Sequence, residues 1–171
     1  GQASYQILVD TTPPAVDNQQ SGDDVWRNTG GNTYNVFFND TGYGQSKIDT
    51  IQYRVDSATG FQEIPWTNIG TPPVNQYSYS TPWAVNFSPL TESVTNFVYV
   101  RAWDIAGTTN TPASPVFYVK KDLKTPDTID NQFGDDTWRK QPGTFYDVDF
   151  RDPNSGGFSS GLYKVNYKAY Y

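Results

Sequence analysis

Along most of the chain, apolar and polar positions alternate with a period of two. Tyr34, Val36 and Phe38 interleave with Asn35, Phe37 and Asn39, and Ile51, Tyr53 and Val55 with Gln52 and Arg54. Trp83-Val85-Phe87, Val98-Val100-Ala102 and Phe117-Val119 follow the same rule. Such runs, separated by Gly, Pro, Asn and Asp clusters, predict half-buried antiparallel strands. No stretch of useful length has the period of an amphipathic helix. Pro82 removes a backbone donor, which places its strand at an edge or a bulge. Seven or so short strands in about 110 residues predict a two-sheet sandwich.

The pattern also repeats on a longer scale. Residues 22–40, "GDDVWRNTGGNTYNVFFND", align with 134–152, "GDDTWRKQPGTFYDVDFRD". Gly22, Asp23, Asp24, Trp26, Arg27, Gly31, Tyr34, Val36, Phe38 and Asp40 all recur 112 positions later. After a two-residue insertion, "SKIDTIQYRV" (46–55) lies over "SGLYKVNYKA" (160–169). Phe37, expected on the outer side, is replaced by Asp149, whereas the inward set is kept. Self-similarity at a fixed period is the signature of a repeat protein. The expected division is residues 1–9 as the last strand of a preceding unit, 10–121 as one complete unit, and 122–171 as the first half of the next. That half unit lacks counterparts of the last three runs, so Tyr146, Val148, Phe150, Val165 and Tyr167 are expected to lie open to water.

"VYVRAWDIAG" (98–107) resembles the penultimate strand and following turn of bacterial immunoglobulin-like and fibronectin-III-like repeats. "VDTTPP" (9–14) and "KKDLKTP" (120–126) are similar to the joints of such arrays. The resemblance implies an all-β fold of Ig-like antiparallel β-sandwich repeats in tandem. It implies a structural or adhesive role in an extracellular bacterial surface protein: a stalk, surface layer or filament. The expected partners are neighbouring repeats and copies of the same chain. Two alternatives stand beside it, a carbohydrate-binding adhesive module and an accessory domain of a larger exported enzyme.

Composition narrows the chemistry. The chain of 171 residues carries 12 Lys+Arg against 18 Asp+Glu, a net charge of −6. That balance repels nucleic acid and anionic lipid, and no apolar run is long enough to insert in a bilayer. Cys, Met and His are absent. Ser-His-Asp and Cys-His nucleophilic catalysis and thiolate or imidazole metal sites are thereby excluded. Carboxylate-only catalysis remains, but Asp23 and Asp24 are adjacent and would point to opposite faces of a strand, which defeats simple pairing. The chain is not expected to be an enzyme.

Three features invite a site. In a sandwich of this topology the inter-domain joint and two strand-end turns converge at one pole, bringing Asp10, Asp40 and Asp104 together. Hard cations take several oxygen ligands, and the resemblance implies calcium at such joints. The competing reading is that each Asp ends a strand with a local Asx turn. The GDD-x-WR element reads either as a ligand site or as structure, with Trp26 and Trp138 as buried plugs at one end of each sandwich. Finally, Trp66, Tyr77, Tyr79, Tyr99 and Trp103 read either as a platform for glycans or as packing surfaces.

Overall fold

The computed structural model describes residues 4–20, 22–42, 44–134, 138–141, 145–153 and 159–169. The chain is all-β, and no helix occurs among the described residues. The strands are β1 (Ala15–Asn18), β2 (Asp23–Arg27), β3 (Thr33–Tyr34), β4 (Val36–Asn39), β5 (Ile48–Ser57), β6 (Gln62–Asn68) and β7 (Ser78–Tyr79). They continue with β8 (Trp83–Ala84), β9 (Val94–Asp104), β10 (Thr109–Asn110), β11 (Phe117–Lys121), β12 (Asp127–Asp130) and β13 (Val148–Arg151).

Residues 15–121 form two layers. One contains the sheet β1-β4-β7 and the separate β3–β8 pair; the other runs β2-β11-β9-β5-β6, with β10 on β9. The predicted alternation is realised most fully in β5 and β9, where inward Ile51, Tyr53, Val55, Val98, Val100 and Ala102 are buried. They share one hydrophobic cluster with Tyr34, Val36, Phe38 and Trp83 of the facing layer. Rings bridge the layers: Tyr34 stacks on Phe117 with centroids 4.5 Å apart, and Trp83 meets Tyr53 at 5.2 Å. Buried aromatics of this size dominate core energetics.

Pro82 stands just before β8, a strand of two residues. Pro65 lies within β6, which the run pattern did not reveal. This strand forms one edge of its sheet, where a missing backbone donor is tolerated. At the opposite edge β2 runs parallel to β11, with Val119 opposite Asp23 and Lys121 opposite Arg27.

The 112-residue period reappears in the backbone. In the first unit β1 pairs with β4, Ala15 opposite Asn39 and Asn18 opposite Val36. In the second, β12 pairs with β13, Asp127 opposite Arg151 and Asp130 opposite Val148. Adding 112 to each first-unit number gives its second-unit counterpart. The flanking turn follows: Gln19 N–H donates to the Asn35 carbonyl and Asn131 N–H to that of Asp147.

The counterpart of β5 does not form. Residues 162–169 carry no strand. β5 is held between β9 and β6, whereas residues 162–169 pair with no strand among the described residues. The exposure expected of the half unit follows: Tyr146 is 61% exposed, Val165 47% and Tyr167 95%, with Phe150 at 37% and Val148 half-buried.

Candidate metal centre

The three aspartates expected at one pole lie together. Asp10 precedes β1, Asp40 follows β4, and Asp104 is the last residue of β9. One carboxylate oxygen of each lies within 4.8 Å of the others. Asp10 makes the predicted Asx turn, its Oδ1 accepting from Thr12 N–H at 3.1 Å, but its Oδ2 also reaches Ser46 N–H at 2.7 Å. Asp104 accepts from both Thr108 N–H, at 2.8 Å, and the Thr108 hydroxyl. Asp40 is 1% exposed. Its Oδ2 accepts from Lys47 N–H at 2.6 Å, while its buried Oδ1 has no hydrogen-bond partner.

Backbone geometry brings these segments close. Gly44 has φ +81°, and a Cβ there would stand 2.3 Å from the Val9 carbonyl oxygen. Only glycine lets this loop close over the segment that carries Asp10. The Lys47 ammonium does not neutralise the group; it lies 3.5 Å from the Asn75 amide oxygen and over the Tyr77 ring. Hydrogen bonds from Thr12 and Ser46 hold the Asp10 carboxyl below its ordinary range. Asp40 is pushed the other way, first by burial and then by the charges of Asp10 and Asp104, as expected where like charges share a dry site.

Half of this arrangement recurs. Asp122 accepts from Lys124 N–H at 3.0 Å and from Ser160 N–H at 2.8 Å, as Asp10 does from Thr12 and Ser46. Asp152, the counterpart of Asp40, also has a buried Oδ1 without a hydrogen-bond partner. The self-alignment pairs these residues, but the orphaned oxygens have no signature in it.

The GDD-x-WR element resolves into structure, though not as expected. Asp23 turns inward and is buried; Arg27 pairs with it, and the Tyr34 hydroxyl donates to it at 3.1 Å. Asp24 turns outward to accept from the Tyr118 hydroxyl and from Lys120 at 3.1 Å. Gly22, with φ +119°, leaves room for the Tyr118 ring, which a Cβ would strike at 2.2 Å. The hexapeptide therefore latches β2 to β11. The expectation that both tryptophans are buried plugs is corrected. Trp26 is half-buried beneath Lys120, and Trp138 is 99% exposed. On this strand Asp23 takes the inward position, leaving Trp26 on the flank. Of the second copy, residues 135–137 lie outside the described residues.

The aromatic residues do not form one platform. Tyr77 is exposed and Tyr79, on β7, packs against the core in the opposite layer from Trp66, Tyr99 and Trp103. The latter three are half-buried and interleaved with arginines. Arg54 lies 4.5 Å from the Tyr99 centroid, and Arg101 lies 4.2 Å from that of Trp66 and 4.5 Å from that of Trp103. These guanidinium groups occupy the ring faces on which a sugar would stack.

Sequence reasoning also missed Lys121. It is buried, and its ammonium donates to the carbonyls of Ser88 at 2.8 Å and Leu90 at 2.9 Å. Period two sets Lys121 on the same face as Phe117 and Val119, but lysine is so rarely buried that its type masks the signal.

No family model, curated protein or solved structure matches the chain. No helix among the described residues is long and apolar enough to cross a membrane.

Proposed function

We propose that residues 10–121 are an Ig-like β-sandwich repeated in tandem, and that the chain is a load-bearing or assembling element of an extracellular bacterial surface protein. Its partners in this reading are neighbouring repeats and further copies of the chain. The observation that carries it is the recurrence of the β1–β4 pairing as β12–β13, in the same register 112 residues on. A unit used twice in one chain is a building element rather than a single site.

Strand order supports a mechanical role. β2 lies near the start of the complete unit and β11 at its end, and the two run parallel. A pull applied at the two ends of the unit draws these strands past one another. The ladder bonds and the Asp24–Tyr118 and Asp24–Lys120 contacts then share the load instead of opening one by one.

The test is single-molecule extension through cysteines added at the two ends, since the chain has none of its own. A discrete rupture is expected, releasing roughly 370–400 Å of contour for a 112-residue unit. Smooth extension without a rupture event would remove the mechanical reading. The covered faces of Trp66 and Trp103 weigh against the glycan-binding alternative.

A further inference from the structure

We propose that a calcium ion binds among Asp10, Asp40 and Asp104, and that the same site begins again at Asp122 and Asp152, one site per repeat at each joint. The recurrence rests on the tandem-repeat reading above; the first site does not.

Three observations carry the first site. Ligands around a calcium ion at 2.3–2.6 Å can stand about 5 Å apart, and the three carboxylates already offer oxygens within 4.8 Å of one another. Asp40 is 1% exposed, yet its Oδ1 has no hydrogen-bond partner. A buried carboxylate oxygen without a donor is costly, and a cation in the cluster removes that cost. The remaining oxygens are tied to backbone N–H groups of Thr12, Ser46, Lys47 and Thr108 and to the Thr108 hydroxyl, so the carboxylates are positioned before any ion arrives. An all-oxygen donor set on loops and strand ends suits calcium. Magnesium demands a tighter octahedron, and softer metals prefer nitrogen and sulfur.

The recurrence makes an accident of one loop a poor explanation. Asp152 repeats the orphaned oxygen and Asp122 repeats both backbone contacts. Asp122 also belongs to both units. Its N–H donates to the Arg27 carbonyl in the first at 2.9 Å, while its carboxylate holds Ser160 of the second. An ion at Asp122 and Asp152 would therefore tie one repeat to the next and stiffen the joint. The described residues supply two carboxylates to that second site, Asp122 and Asp152, both of which accept from Ser160.

The experiment is calorimetric titration of the chelator-treated chain with calcium chloride, combined with thermal melting and amide exchange. One tight ion per chain is expected, with a higher melting temperature, plus a weaker second ion that slows exchange at 122–124 and 159–160. Asp10→Asn and Asp40→Asn should each weaken the tight ion at least tenfold. Asp10 is partly exposed, so its variant tests the site even if Asp40→Asn fails to fold. Asp152→Asn should abolish the weak ion alone. Absence of calcium binding and of any melting shift, with Asp40→Asn at least as stable as the parent, would overturn the proposal and mark Asp40 as a neutral carboxylic acid. A tight ion, with weak binding and exchange at 159–160 unaffected by Asp152→Asn, would overturn the recurrence while leaving the first site. The pulling experiment above tests the tandem reading separately.

Discussion

The Tyr118 hydroxyl donates to the Asp24 carboxylate and thereby fastens β11 to β2, two strands more than ninety residues apart in the chain. Around this contact four of the six positions of GDD-x-WR have a part. Gly22 clears the ring, Asp24 receives it, and Asp23 turns the other way to hold Arg27 and Tyr34. A hexapeptide that looks like a ligand site thus fastens an edge strand, β2, to its neighbour β11.

The inward aspartate should matter more than the conspicuous tryptophan. Asp23→Ala removes the acceptor of a buried tyrosine hydroxyl and of a guanidinium that remains about a quarter exposed. A loss of about 1–3 kcal/mol is expected after allowing for that exposure. Trp26→Ala should cost under about 2 kcal/mol because the ring is only half-buried. Trp83→Ala should cost about 3–5 kcal/mol, since Trp83 fills the core and its indole N–H donates to the Val36 carbonyl at 3.0 Å. Urea denaturation of the three variants checks the ranking, and a Trp26 loss equal to that of Trp83 would restore the plug.

Tyr34 should make the fold alkali-sensitive. Burial, and then the Asp23 charge and hydrogen bond, raise its phenol well above the ordinary 10.0. Tyr118 is raised too, chiefly by its hydrogen bond to Asp24. Both phenols therefore keep their protons longer in the native chain than in the unfolded one. Their stabilisation is complete below about pH 10 and is lost as pH rises through the native values. Melting temperature against pH should fall above about 10, and less steeply in Tyr34→Phe. Equal slopes for variant and parent would show that Tyr34 does not govern the transition.

Lys121→Met should destabilise although it replaces a buried charge with an apolar side chain. The ammonium is the donor for carbonyls of the 87–90 turn, and methionine leaves the buried Leu90 carbonyl without it. The expected cost is about 1–3 kcal/mol, measured by denaturant unfolding. A more stable variant would mean that burying the charge costs more than its three contacts return.

What the sequence discloses depends on how local the cause is. β5 and β9 are legible because inward and outward residues alternate over their full length. The β12–β13 pair is legible because it copies β1–β4. The meeting of Asp10, Asp40 and Asp104 follows from where strands of this topology end. Other features depend on which neighbour arrives. Period two shows that Asp23 and Trp26 face opposite ways, but not which one faces in. β6 hides behind Pro65 because an edge strand tolerates it, and Lys121 is buried by a turn more than thirty residues away in sequence. The missing partner of Asp40 Oδ1 is a property of three dimensions alone.

The half unit supplies the sharpest contrast between sequence and context. Residues 160–169 are aligned with the segment that forms β5, yet 162–169 are without strand and their side chains are exposed. Alternation by itself does not make a strand; the ladder needs a neighbour, and chain entropy of about 1–2 kcal/mol per residue opposes ordering without one. Amide exchange on the dilute full-length chain should therefore be slowest at Val98 and Val100, intermediate at 127–130 and 148–151, and fast throughout 162–169. If copies of the chain complete one another by strand addition, raising the concentration should slow exchange at 162–169 before it changes β9. Slow exchange at 162–169 in the most dilute sample would show that the second unit orders itself, and that the boundary at residue 122 is misplaced.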